Sequence, residues 1–236
     1  MSREVPEDFS RLKDFFTGYT TAANMSNADF VQFLSTYHKK YLAYLTYIAE
    51  LSVYQANALL DRLSQKQFEF FAESCSDCGL ALFDAVNGNY KAARLLLRSS
   101  IENYMKAIAL DADTTIDQES SVYNLFDRVK AVSFFSSSRD TMNLFTAIHQ
   151  EYKELCRDVH TASVANMIQM SALNTFPTFD LRHANALLRI VKTLVSSYVT
   201  LLTLKYNAHY HSIKYVNKEV IENAVIVDYA DLINNK

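Results

Sequence analysis

The chain has 236 residues, half of them apolar, with 15 Tyr and 15 Phe but only three Gly and two Pro. Such a composition excludes disorder and fits a many-stranded sheet poorly; it predicts long helices joined by short polar connections. A formal charge of −3 excludes a global basic field, so any nucleic-acid contact must be local.

From the N-terminus, Pro6 with Glu7 and Asp8 behind it predicts a short helix ending around Gly18. This acidic, amphipathic start lacks the basic-then-apolar order of a signal peptide, and three cysteines argue for a reducing compartment, so a soluble cytoplasmic protein is expected. Ser26, Asn27 or Asp29 can cap a long helix over 27–64, about 50 Å in length, with Tyr37, Tyr41, Tyr44, Tyr47 and Tyr54 on one broad packed face. A third helix spans about 66–86 and stops at Asn87-Gly88-Asn89. The fourth ends near Leu110, and 111–120 is a polar loop. Helices over about 121–132 and 140–159 follow, separated by Ser136-Ser137-Ser138. Beyond Thr161 another helix runs to about Leu173, and Pro177 breaks the chain. A long helix over about 180–211 carries apolar residues at helical period from Ala184 to Leu202. Its most apolar run, Ile190 to Leu204, holds Lys192 and several hydroxyls and is too short and polar for a membrane span. The tail over 217–233 reads as one more helix, with Val225-Ile226-Val227 open to a strand. No repeat or linker marks a boundary. The expectation is one all-α domain over 1–236, a helical bundle with long core helices.

The fourth helix carries the most informative pattern. At about 100° per residue, Arg94, Arg98 and Glu102 form one stripe inside a segment that otherwise reads as core, bordered by Leu95 and Met105. Charges so placed need partners, because an unpaired buried charge costs several kcal/mol. The bland reading is an i,i+4 ion pair; Arg before Glu is the weaker order for helix stability, so a functional or interface role stands beside it. The segment EYKELCRDVHTAS, Glu151 to Ser163, is the expected partner. Ile148, Tyr152, Leu155 and Val159 form its apolar face, while His149, Cys156 and His160 lie along one edge. His160 ends this helix with Arg157 one turn back, and an imidazole suits proton transfer near neutral pH.

Metal signals are weak. Cys75 and Cys78 form a CxxC without a second ligand pair and read as core. His149 and His160 lie roughly 16 Å apart along one helix and cannot share an ion. No Glu-x-x-His pair points to a di-iron bundle, so no metal and no cofactor are expected. His209 and His211, with Lys205 and Lys214, make a modest basic-aromatic surface that reads as a solvated face. A phosphate-binding Gly-rich loop, a G-x-S-x-G elbow and HExxH are all missing, which excludes several large enzyme classes.

The pattern AARLLLRSSIEN after a Gly-Asn turn, followed later by YKELCRDVHTAS, resembles the HEPN (higher eukaryotes and prokaryotes nucleotide-binding) superfamily. The closer likeness is to its bacterial group with an Arg-x-x-x-Glu helix and a later Tyr-x-x-Leu…His segment, over about 70–202, leaving 27–64 and 217–233 as accessory helices. The resemblance implies a compact bundle, homodimerisation, and in many members a metal-independent endoribonuclease of toxin–antitoxin or antiphage systems. Those nucleases use an Arg-x4–6-His motif that this chain lacks; Arg157 and His160 are separated by two residues. Of these residues only Arg98, Glu102 and His160 have counterparts in the resemblance, and they are the candidate catalytic residues; Arg94 and Arg157 are candidate contacts to an RNA substrate. His160 would move a proton at the ribose 2′-hydroxyl or the leaving 5′-oxygen, Arg98 would bind phosphate, and Glu102 would orient one of them. The competing class is a non-catalytic helical module whose three polar residues specify the bundle or a dimer seam. A third is a regulatory, antitoxin-like partner of an effector encoded beside it. A homo-oligomer or a neighbouring partner protein is expected in each case, and no membrane.

Overall fold

The computed structural model describes residues 17–56, 63–159 and 176–234, together with Ser10 and Asp14. The fold is an all-α helical bundle, and no strand occurs among the described residues. The expected first helix, the residues around His160 and the helix after Thr161 fall outside the described residues.

After a 3-10 turn over Ala22–Ser26, helix α1 spans Ala28–Ala56. Of the three candidate caps, Asn27 does the work: its Oδ1 accepts from the backbone N–H of Asp29 at 2.9 Å and of Phe30 at 3.3 Å. Helix α2, Gln65–Val86, starts at Ser64, whose side chain accepts from the Gln67 N–H. The expected helix over 27–64 therefore does not reach its end: Leu63 and Ser64 are non-helical, and Ser64 caps the next element instead. Helix α3, Tyr90–Ala109, follows a turn in which Gly88 has φ +81°. A Cβ there would lie 2.3 Å from the Thr178 carbonyl oxygen, so glycine is required by both conformation and space.

Helix α4 covers Val122–Ala131, α5 is the single turn Ser133–Ser136, and α6 covers Arg139–Val159. The serine run expected as plain connection thus begins inside α5. The loop before α4 contains a 3-10 turn, Ile116–Gln118, and is held by Arg128. Its guanidinium donates to both Asp113 carboxylate oxygens, at 2.8 and 2.6 Å, and to Thr115 Oγ1 at 2.7 Å.

Helix α7 spans Leu181–Lys205, capped by Asp180. By length and composition it could cross a membrane, yet 83% of its most apolar window is buried against other helices, which accounts for that apolarity by packing. It ends earlier than the expected 180–211 helix. Tyr206 leaves helical geometry at φ −109°, ψ 42°, and the short helix α8, Asn207–Ser212, starts afresh. The tail is likewise not one helix over 217–233: α9 is Tyr215–Glu222, a 3-10 turn covers Val227–Tyr229, and α10 is Ala230–Asn234. Neither break contains Gly or Pro; at them the Asn207 amide donates to the Ile233 carbonyl at 2.8 Å and the Ile226 N–H to Thr200 Oγ1 at 3.0 Å.

α2 and α3 form the tightest pair, an antiparallel hairpin. α1 packs on α2 and α7, while α6 lies against α3 and α7. Tyr37, Tyr44, Tyr47, Tyr104 and Tyr198 fill the centre, each wholly buried. Tyr104 stacks on Tyr198 with centroids 4.0 Å apart, and its hydroxyl donates to the Tyr198 carbonyl at 2.8 Å. The aromatic face expected on α1 is therefore the core, with Tyr41 only partly covered.

Candidate functional site at the seam of α3 and α6

α3 is amphipathic in an unusual way. Leu97, Ile101, Tyr104 and Ile108 enter the core, and polar residues occupy the edges on either side. On the edge facing α6, Arg98 Nε donates to Glu102 Oε1 at 3.1 Å and to the Tyr152 hydroxyl at 3.0 Å. That hydroxyl donates in turn to the same Glu102 oxygen at 2.8 Å. Three groups from two helices thus close a triangle. The guanidinium also sits over the Tyr152 ring, 5.4 Å from its centroid.

Tyr152 is held in place from behind. Phe126 of α4 packs on its ring at 4.9 Å, and the residue itself is buried. Burial, then the Glu102 carboxylate that accepts its proton, pushes the phenol well above its ordinary range, so it stays a neutral donor. For Arg98, burial works against the charge, but the Tyr152 hydrogen bond and neighbouring negative groups outweigh it and hold the guanidinium charged. The side chains of Arg98 and Glu102 are 27% and 29% exposed, so solvent and solutes reach them. Among the described residues no hydrogen bond occupies the Nη groups of Arg98; only Nε is committed.

Arg94 lies one turn back on the same stripe, half-buried. Arg157 behaves differently: its side chain is 65% exposed and ion-paired with Glu154 at 2.8 Å. Nothing among the described residues joins Arg157 to the triangle. His160 falls outside the described residues. The structure brings Arg98 and Glu102 together as the spacing suggested, and it bears out the α6 segment as their partner. The side chain that reaches them is Tyr152, which sequence reasoning assigned to the apolar face. Tyr152 is the one member of that face with a polar tip, and a buried phenol must find a hydrogen bond.

The other candidates resolve into packing. Cys75 and Cys78 are free and buried, and burial pushes the Cys78 thiol up to about 12. Cys78 Sγ lies 3.3 Å from Ser100 Oγ, inside the core. No group of three or more His, Cys, Asp or Glu side chains among the described residues could hold a metal ion. His149 stacks on Phe126 at 4.3 Å. His209 is not on a solvated face as expected; its ring packs tilted against Tyr54 with centroids 4.4 Å apart, and its Nε2 is buried. His211 does sit at the surface, with Nε2 3.0 Å from the Ile233 carbonyl.

Comparison with known proteins finds no matching family model, curated protein or solved structure.

Proposed function

We propose that this chain is an HEPN-like helical effector that binds RNA and cuts it without a metal ion, in bacterial toxin–antitoxin or antiphage defence. One observation carries the reading. Arg98 is gripped through Nε by Glu102 and Tyr152, which fixes the plane of the guanidinium; among the described residues its two Nη groups have no hydrogen bond, and the side chain is partly exposed. A planar donor edge held in this way suits the bidentate recognition of a phosphate's non-bridging oxygens. The defence setting comes with the sequence resemblance.

In this mechanism the ribose 2′-oxygen attacks the adjacent phosphorus, and the 5′-oxygen leaves. His160 takes the 2′-hydroxyl proton or supplies one to the leaving oxygen, and Arg98 stabilises the charge that builds on the phosphoryl oxygens. Glu102 and Tyr152 orient Arg98, and Arg94 extends the cationic stripe. A dimer or a partner protein encoded nearby completes the functional unit.

A second reading is favoured by the closure of the triangle itself. Because the three groups satisfy one another, the seam could serve only to fix α6 on α3 in a non-catalytic interaction module. Incubating purified protein with RNA in EDTA separates the two. Cleavage that disappears in both His160→Ala and Arg98→Ala supports the nuclease. Cleavage that survives in both variants, or none by the wild type, leaves the interaction module.

A further inference from the structure

The molecule is acidic overall, yet one face is not. Along α7, Arg182, Arg189 and Lys192 are exposed on a single stripe that spans roughly 15 Å of helix. α1 packs beside α7, and its Lys39 is exposed while Lys40 bridges the two helices. The Lys40 ammonium donates to Ser196 Oγ on α7 at 3.0 Å and to the Asn223 carbonyl at the end of α9 at 2.8 Å. These bonds hold Lys40 one turn from Lys192, on the same edge. Among the described residues one carboxylate pairs with the five cations: Glu151, buried on α6, which binds Arg189 at 2.7 Å. Lys39, Lys192 and Arg182 have no acidic partner there. Burial, followed by the charges of Lys39 and Lys192, lowers the Lys40 pKa, as expected where like charges gather without neutralisation.

We propose that this strip of Lys39, Lys40, Arg182, Arg189 and Lys192 binds the phosphate backbone of RNA, outside the Arg98 site. The inference rests on the RNA reading given above and adds a second contact surface to it. The residues interleaved with the cations are Gln32, Asn185, Thr193 and Ser196, small polar groups that can donate to phosphate. Among the exposed large apolar side chains the stripe carries Leu181 at its N-terminal end, and no exposed Trp or Phe, whereas a membrane-facing strip presents several such groups together. α6 connects the two surfaces: Glu151 ties it to Arg189, and the next residue, Tyr152, ties it to Arg98. The strip at Arg189 is thereby joined through α6 to the seam where Tyr152 meets Arg98.

The test titrates the full chain with a short fluorescent single-stranded RNA over a series of salt concentrations. The strip predicts that Lys39→Glu/Lys192→Glu weakens binding about tenfold or more and that the slope of log affinity against log salt becomes shallower by about 1.4, two contacts at about 0.7 each. Circular dichroism reports the fold, and Lys39→Gln/Lys192→Gln provides the milder change, expected to fall between. Unchanged affinity and slope in the charge-reversed protein overturn the strip. So does a wild type that binds phosphatidylserine vesicles, or neither probe, rather than RNA. EDTA cleavage by Arg98→Ala is scored separately. Lost cleavage beside unaltered binding by the reversal variant sinks the strip alone; reversal-sensitive binding without Arg98-dependent cleavage sinks the nuclease alone.

Discussion

Helix α3 has two polar edges, and they are built on opposite terms. Toward α2, Ser100 is wholly buried and donates to the Ser74 carbonyl at 2.9 Å, with Ser74 Oγ at 3.0 Å and Cys78 Sγ at 3.3 Å. The Tyr44 hydroxyl donates to Ser74 Oγ at 3.1 Å and completes this network. These groups are neutral, so their full burial costs little once the hydrogen bonds are made; beside them on this edge the carboxylate of buried Asp77 accepts from the Asn103 amide at 3.1 Å. Toward α6 the neutral, buried Tyr152 hydroxyl joins two charged groups, Arg98 and Glu102, which keep more than a quarter of their side-chain surface in solvent. A bundle needing only adhesion would use the first kind of seam twice, since a partly exposed ion pair contributes little to stability. The contrast separates a seam that specifies the fold from one that retains access to solutes.

That contrast can be broken from its stable side first. Tyr104→Ala empties the centre of the core and leaves Tyr198 without its stacking partner, so urea unfolding should show a loss of about 3–5 kcal/mol. Gly88→Ala forces a side chain into a left-handed turn against the Thr178 carbonyl, and a loss of about 1–3 kcal/mol is expected in the same assay. At the α6 seam, Tyr152→Phe keeps the ring and removes the hydroxyl. Stability should fall by about 1 kcal/mol while RNA binding weakens with it; a variant that loses stability but binds RNA normally would make this seam structural as well. The smallest effect concerns pH. Burial lowers the pKa of both His149 and His209, so the unfolded chain takes up their protons first. Their contribution is complete above about pH 6.5 and is lost progressively as pH falls from there through their lower folded-state values, which a series of urea midpoints measures directly. His149→Gln/His209→Gln should flatten the dependence.

Much of this was legible in the chain. Three glycines and two prolines in 236 residues left little but long helices, and helical spacing located α2, α3, α6 and most of α7. Arg98 and Glu102 were legible as a pair because charges four apart inside an apolar run must meet something. Their real partner was not, because the phenol of Tyr152 suits an apolar face and a polar contact equally well; only the packing of α6 on α3 decides which end does the bonding. The stop of α7 at Tyr206 and the broken tail were hidden for a related reason. Neither break holds a Gly or Pro to announce it; Tyr206-Asn207 and Asn223 to Asp228 are only modest helix formers, and tertiary contacts such as the Asn207 amide on the Ile233 carbonyl at 2.8 Å decide where the helices stop. His209 was misjudged likewise: its polarity suggests solvent, while its ring contact with Tyr54 draws it inward.

Arg98 is gripped by Nε, and among the described residues its Nη groups have no hydrogen bond. Nitrogen-15 NMR of the guanidinium, assigned by its loss in Arg98→Lys, tests it most directly as a short RNA is added. The account predicts that the Nη resonances shift while Nε stays near its starting position. Movement of Nε with Nη unchanged, or no response at either, would contradict it.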